Sequence, residues 1–79
     1  MKLLLNSADK IKDFVNDITP YDIPVELASA QYMVNAKSIM GILSLDLSRP
    51  VEMLVPDKAD QIQEQELREI YCIGQKYRV

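Results

Sequence analysis

The sequence has no histidine, one cysteine, only two glycines, and fewer basic than acidic residues. Each shortage removes a class of function. Without histidine there is no imidazole to relay a proton or carry a phosphoryl group. A lone cysteine, Cys72, forms neither an internal disulfide nor a multi-cysteine zinc site, and with histidine missing too the usual zinc and copper donor sets cannot be assembled. No metal and no cofactor is expected. Nine lysines and arginines face twelve acidic residues, for a net charge of −3. Nucleic-acid affinity rests on cations against phosphate, so a nucleic-acid partner is not expected. The apolar run after Lys2 ends at Asn6, Ser7 and Asp9, too short for an export signal. No stretch approaches a membrane span. A soluble cytoplasmic protein without a membrane partner is the expectation.

The 79 residues are 48% hydrophobic and 27% charged, a globular balance for one small domain, residues 1–79, with a thin core. Paired carboxylates of an acid–base enzyme need a pocket that so small a core hardly provides. Asp13, Asp17, Asp57 and Asp60 therefore read as solvated, and no enzymatic activity is expected. Cys72, with no cationic neighbour adjacent in sequence, reads as a small core or flank residue, and Tyr32 and Tyr77 as aromatics at the core edge.

Periodicity gives the elements. Lys2 to Leu5 reads as a short strand. Ser7 is placed to cap a helix in which Ala8, Ile11, Phe14, Val15 and Ile18 recur at helical spacing, and Thr19-Pro20 stops it. From Ile23 the period becomes two: Ile23, Val25 and Leu27 alternate with Pro24, Glu26 and Ala28, with Pro24 hinting at an edge or a bulge. Tyr32 to Val34 reads as another strand, joined through Ala28–Gln31, which contains no glycine or asparagine, so hairpin chemistry is weak there. Ser38 caps a short helix from Ile39 to about Leu45. Val51, Met53 and Val55 alternate with Glu52 and Leu54 until Pro56-Asp57. A long helical pattern follows, with Ala59, Ile62, Leu67, Ile70, Ile73 and Tyr77 on one broad face and Gly74 near its end. Three helices and four strands suggest an α+β fold, helices packed on one face of a mostly antiparallel sheet.

The segment from Val34 to Leu45, Val-Asn-Ala-Lys-Ser-Ile-Met-Gly-Ile-Leu-Ser-Leu, resembles the regulatory-serine segment of the HPr family, the histidine phosphocarriers of the bacterial sugar phosphotransferase system. The element order is also that family's open-faced βαββαβα sandwich. Without a gap, the likeness runs back to Phe14-Val15, which falls on the family's usual Phe-Val, and forward through Leu47 and Pro50–Val55 into the last helix. The family's His-x-Arg-Pro motif opens its first helix. In this register Ser7 takes the histidine's place, Asp9 the arginine's and Lys10 the proline's, and the preceding loop is shorter. The resemblance therefore implies a divergent member without phosphocarrier activity: the nucleophile is missing, and Asp9 would repel a phosphoryl group that an arginine would neutralise. Ser7 reads as a helix cap, since a serine hydroxyl needs a base to activate it.

Ser38 carries two readings. As a plain N-cap it contributes about 1 kcal/mol. The resemblance adds a second, because the matching serine of Gram-positive members is phosphorylated by an ATP-dependent kinase and the modified protein binds a transcriptional regulator of carbon catabolite repression. A phosphate would add about −1.5 to −2 charge where backbone amides favour an anion. It would sit beside Ile39, Met40 and Leu43, which the resemblance implies form a partner-docking patch. On so short a helix Ile42 and Leu45 can face the sheet, but Ile39, Met40 and Leu43 cannot all do so.

The expectation is a regulatory or adaptor protein that binds protein partners through the Ser38–Leu43 region, with an HPr kinase or a catabolite regulator as the partners the family implies. A histidine-free paralogue acting in catabolite repression is the precedent in the family. The alternative is an HPr fold turned to a structural or self-associating role, with the Pro24 strand and the apolar patch as contact surfaces. A monomer or weak homodimer fits either.

Overall fold

The structure is a computed structural model and describes residues 1–56 and 64–79. Its elements run β1 (Lys2–Leu3), α1 (Ala8–Ile18), β2 (Glu26–Ser29), β3 (Tyr32–Asn35), α2 (Ile39–Leu43), β4 (Val51–Leu54) and α3 (Glu64–Gln75). The strands form one sheet in the order β1-β4-β2-β3, with every neighbouring pair antiparallel. The three helices cover one face, which is the α+β sandwich that the element order predicts.

Local chemistry explains the elements. Ser7 holds an extended backbone and its Oγ accepts from the Lys10 N–H at 3.2 Å, satisfying an amide that α1 leaves free. Ile11, Phe14, Val15 and Ile18 of α1 are buried on one stripe. At its far end the Thr19 hydroxyl donates to the Val15 carbonyl, just before Pro20. The sheet buries alternate residues. Leu3, Leu27, Val51 and Met53 face the helices, and the other face carries Lys2, Glu52, Ala28 and Met33 paired in one row. Gly74 is the penultimate residue of α3, near the C-terminal end where the pattern places it. A Cβ there would fall 2.8 Å from both Met1 Sδ and Met53 Cε, so glycine lets α3 settle against the sheet.

Several expectations need correction. Pro24 does not mark an edge, because β2 is central, paired with both β3 and β4, and the ladder begins only at Glu26. Proline lies just outside it, where no ladder hydrogen bond is asked of its nitrogen. For the same reason β2 cannot serve as a contact edge. Ile23 and Val25 are nevertheless buried. β1 ends at Leu3, because the Leu4 N–H turns to the Tyr77 carbonyl at 2.7 Å. α2 stops at Leu43, because the Ser44 and Leu45 amides bond back to Gly41 and Ile42, tightening the last turn. β4 ends at Leu54, before Val55. Ala8 is exposed, and Cys72 lies on the exposed flank of α3. Tyr32 is also exposed, whereas Tyr77 lies past the end of α3 and packs on the core. The expected positions Asp57, Ala59, Asp60 and Ile62 lie outside the described residues.

The β2–β3 hairpin turns through Ala30 and Gln31, and Ala30 alone of the two has positive φ, 53°. That is the pattern of a type II′ turn, whose first position favours glycine. Left-handed backbone costs an alanine roughly 1–2 kcal/mol, and glycine's greater unfolded entropy returns part of that. Ala30→Gly is expected to stabilise the protein by about 0.5–1 kcal/mol, read as a rise of a few degrees in Tm.

Tyr77 closes the other end of the molecule. Its ring meets Phe14 edge-on, with centroids 5.4 Å apart and planes at 89°, and its hydroxyl donates to Asp17 Oδ2 at 3.1 Å. Burial, and then the hydrogen bond to the Asp17 carboxylate, push the phenol up to about 12. The neutral form is the one the fold favours. Its contribution is therefore whole below pH 10, the ordinary value, and is lost as pH rises toward about 12. In Tyr77→Phe, the late-ionising component of the tyrosinate absorbance titration should disappear, and denaturant stability should fall by about 1 kcal/mol at neutral pH.

Candidate functional site

The candidate residues lie at the starts of two helices that touch one another, α1 and α2. At α1, Ser7 is exposed and its Oγ already serves as the cap. Lys10 turns its ammonium back to Asn6 Oδ1 at 3.1 Å. Asp9 is exposed in the first turn, so the charge added at this helix start is negative. Among the described residues the Lys10 amide is the hydrogen-bond partner of the Ser7 hydroxyl, and no side-chain base is positioned on it.

Ser38 is half-buried at the entry to α2, and its Oγ accepts from the Gly41 N–H at 3.1 Å. The preceding turn is held tightly. The Ser38 N–H donates to the Asn35 carbonyl at 3.0 Å and the Lys37 N–H to Asn35 Oδ1 at 2.8 Å. The Lys37 ammonium reaches across to the Tyr21 carbonyl, which ties this turn to the segment that follows α1. Beyond α2, Asp46 accepts from both the hydroxyl (2.6 Å) and the N–H (3.2 Å) of Ser48, and these bonds hold its carboxyl below the usual carboxylate range. The cap is thus bracketed by two polar turns.

Within α2 one side chain anchors and three do not. Ile42 is fully buried, and the helix rides close on β3: a Cβ at Gly41 would stand 3.3 Å from Val34 Cβ. Ile39, Met40 and Leu43 are 39%, 78% and 53% exposed. The structure therefore brings Ser38 together with three large exposed apolar side chains on a single turn and a half of helix. Tyr32 and Met33 on β3, 63% and 57% exposed, were not singled out from the sequence as exposed apolar residues. Strand alternation accounts for Met33, which points to the open face; Tyr32 points to the helix side and is exposed beside the hairpin turn. No cavity is formed among the described residues, and none of their carboxylates and thiols gather in threes to hold a metal ion.

The Ser38 cap can be weighed directly. Ser38→Ala should destabilise the protein by about 1 kcal/mol, lowering Tm by roughly 4–8 °C for a domain of this size. Ser38→Asp should stay near the parent, because a carboxylate can accept from the same Gly41 amide.

No protein-family model matches the chain, and no curated protein matches it by sequence. Two solved structures do match. One is HPr-C-His from Thermoanaerobacter tengcongensis, at 22% identity with a TM-score of 0.69, covering 96% of this chain and 90% of that one. The other is Crh, the catabolite-repression protein of Bacillus subtilis, at 26% identity with a TM-score of 0.63, covering all of this chain and 88% of that one. Crh was crystallised as an intertwined, domain-swapped dimer. The chain has the HPr-like fold.

Proposed function

We propose that this protein is an HPr-like regulatory or adaptor protein that works by binding a protein partner and not by carrying phosphate. The observation that carries the reading is the exposed triad of Ile39, Met40 and Leu43 on a helix anchored by Ile42 and capped by Ser38. Exposed side chains of this size, adjacent on one short element, are a contact surface that water alone does not favour. Methionine adapts its shape to a partner at little strain. The loss of phosphocarrier activity follows from the start of α1: Ser7 has its hydroxyl committed to the Lys10 amide, and Asp9 opposes an incoming phosphoryl group. Likeness to Crh, a protein of catabolite repression, favours a role in regulation over one in sugar transport.

Ser38 is the candidate switch. A kinase would transfer the γ-phosphoryl group of ATP to its Oγ, releasing ADP and the hydroxyl proton. A phosphate oxygen could keep the bond to the Gly41 amide, so the change would lie in the charge beside the apolar triad and not in the fold. Candidate partners are an HPr kinase and a catabolite regulator.

The test has two arms. Incubation with an HPr kinase and ATP, read by mass spectrometry, should give one phosphate on Ser38 and none in Ser38→Ala; no label under conditions that modify a histidine-bearing HPr removes the switch. With enzyme I and labelled phosphoenolpyruvate, no phosphate should reach the protein, and transfer would overturn the loss of carrier activity. Met40→Glu, at an exposed site, should leave Tm unchanged and weaken binding to the catabolite regulator by tenfold or more, about 1.4 kcal/mol.

A further inference from the structure

The two edges of the sheet are treated differently. The β1 edge is covered by the residues after α3. The Leu4 N–H donates to the Tyr77 carbonyl at 2.7 Å, the Val79 N–H donates to the Lys2 carbonyl at 3.1 Å, and Leu3 bridges Arg78. The β3 edge has no such cover among the described residues.

The register says which backbone groups are open there. The hairpin closes on the pair Ser29 and Tyr32, and hydrogen-bonded pairs alternate along an antiparallel ladder. The bond from the Ala36 N–H to the Val25 carbonyl, 2.9 Å, lies on the same alternation. Tyr32 and Val34 therefore spend their backbone groups on β2. Met33 directs both its N–H and its C=O outward, and Asn35 its N–H. Every other strand carries a charge, Lys2 in β1, Glu26 in β2 and Glu52 in β4, whereas β3 reads Tyr-Met-Val-Asn and has none. Charged residues are a common guard on an exposed edge, and this edge lacks them.

We infer that β3 is a self-pairing edge, and that its occupant is the β3 of a second copy of this chain, joined antiparallel about a two-fold axis at Met33. In that register the two Met33 residues exchange two N–H···O=C bonds, and each Asn35 N–H reaches the Gln31 carbonyl of the other copy. Tyr32 of one copy stands opposite Val34 of the other, an aromatic against a β-branched side chain on the helix side. The two Met33 side chains lie together on the open face. A charged strand would set like charges near one another across such an axis, and the neutrality of β3 avoids that. With the β1 edge already covered, pairing ends at two copies in a closed dimer instead of growing into a fibre. The contact is small beside the roughly 1,200–2,000 Å² of stable interfaces, so association is weak and depends on concentration. This surface is distinct from the Ile39–Met40–Leu43 triad.

Sedimentation velocity on the full chain, from about 10 µM to about 1 mM, should show a reversible monomer–dimer equilibrium. Met33→Pro removes an N–H that β2 does not use, so the hairpin is retained and the dimer is lost. Met33→Lys, which sets two ammonium groups side by side, should weaken association at least about tenfold with the circular dichroism and Tm of the parent. Met40→Glu should leave association unchanged. In the dimer, amide exchange at Met33 and Asn35 should slow as concentration rises. A protein that stays monomeric throughout overturns the inference. So does a dimer that survives both Met33 variants, as a domain-swapped dimer of the Crh kind would. Neither result bears on partner binding by the α2 triad, which Met40→Glu tests separately.

Discussion

The pairing of β4 with both β1 and β2 holds this fold together. β4 joins the start of the chain to the hairpin, and it is reached only after β1, α1, β2, β3 and α2 have been laid down. Its alternation puts Val51 and Met53 into the core beside Leu3 and Leu27. Each such side chain is worth about 1.5–3 kcal/mol when buried. A slip of one residue would turn both outward and press Glu52 into an apolar layer with no partner. Gly74 follows from the same point, since α3 packs where Met53 rises from the sheet.

That packed face also decides the site. A helix of five residues has no independent stability, and it exists here because Ile42 enters the core and Ser38 and Ser44 tie its ends. One buried side chain on so short a helix leaves the remaining apolar positions to solvent. The exposure of Ile39, Met40 and Leu43 is thus a consequence of how α2 is held, and Ser38 lies beside them because it is the cap. At α1 the cap is again a serine, but the first turn is acidic and polar. The two helix starts differ in what surrounds the cap, not in the cap itself.

Much of the fold was legible along the chain, because its periodicities are strong. The helical stripe from Ile11 to Ile18, the alternation of β4, the caps Ser7 and Ser38 and the stop at Thr19-Pro20 all act through neighbours within four residues. The errors share a different cause. Pro24 suggested an edge, yet β2 is central, because strand order is set by pairings between distant segments. Gly74 does stand near the end of α3, but what requires a glycine there is the approach of Met1 and Met53 from the sheet. Tyr32 read as an aromatic at the core edge, and only the strand order shows that its strand, β3, is an edge of the sheet.

Composition and local spacing suffice for the element order, the buried positions of α1 and β4, the impossibility of histidine chemistry, and the likeness of Val34–Leu45 to a regulatory-serine segment. These are matters of composition and of spacing within one or two turns. Which strands became edges, which residues of β3 stayed exposed and which backbone groups were left without a strand partner follow from the packed arrangement alone. Those properties belong to the arrangement of segments far apart in the chain, where the burial of one face necessarily leaves another to solvent.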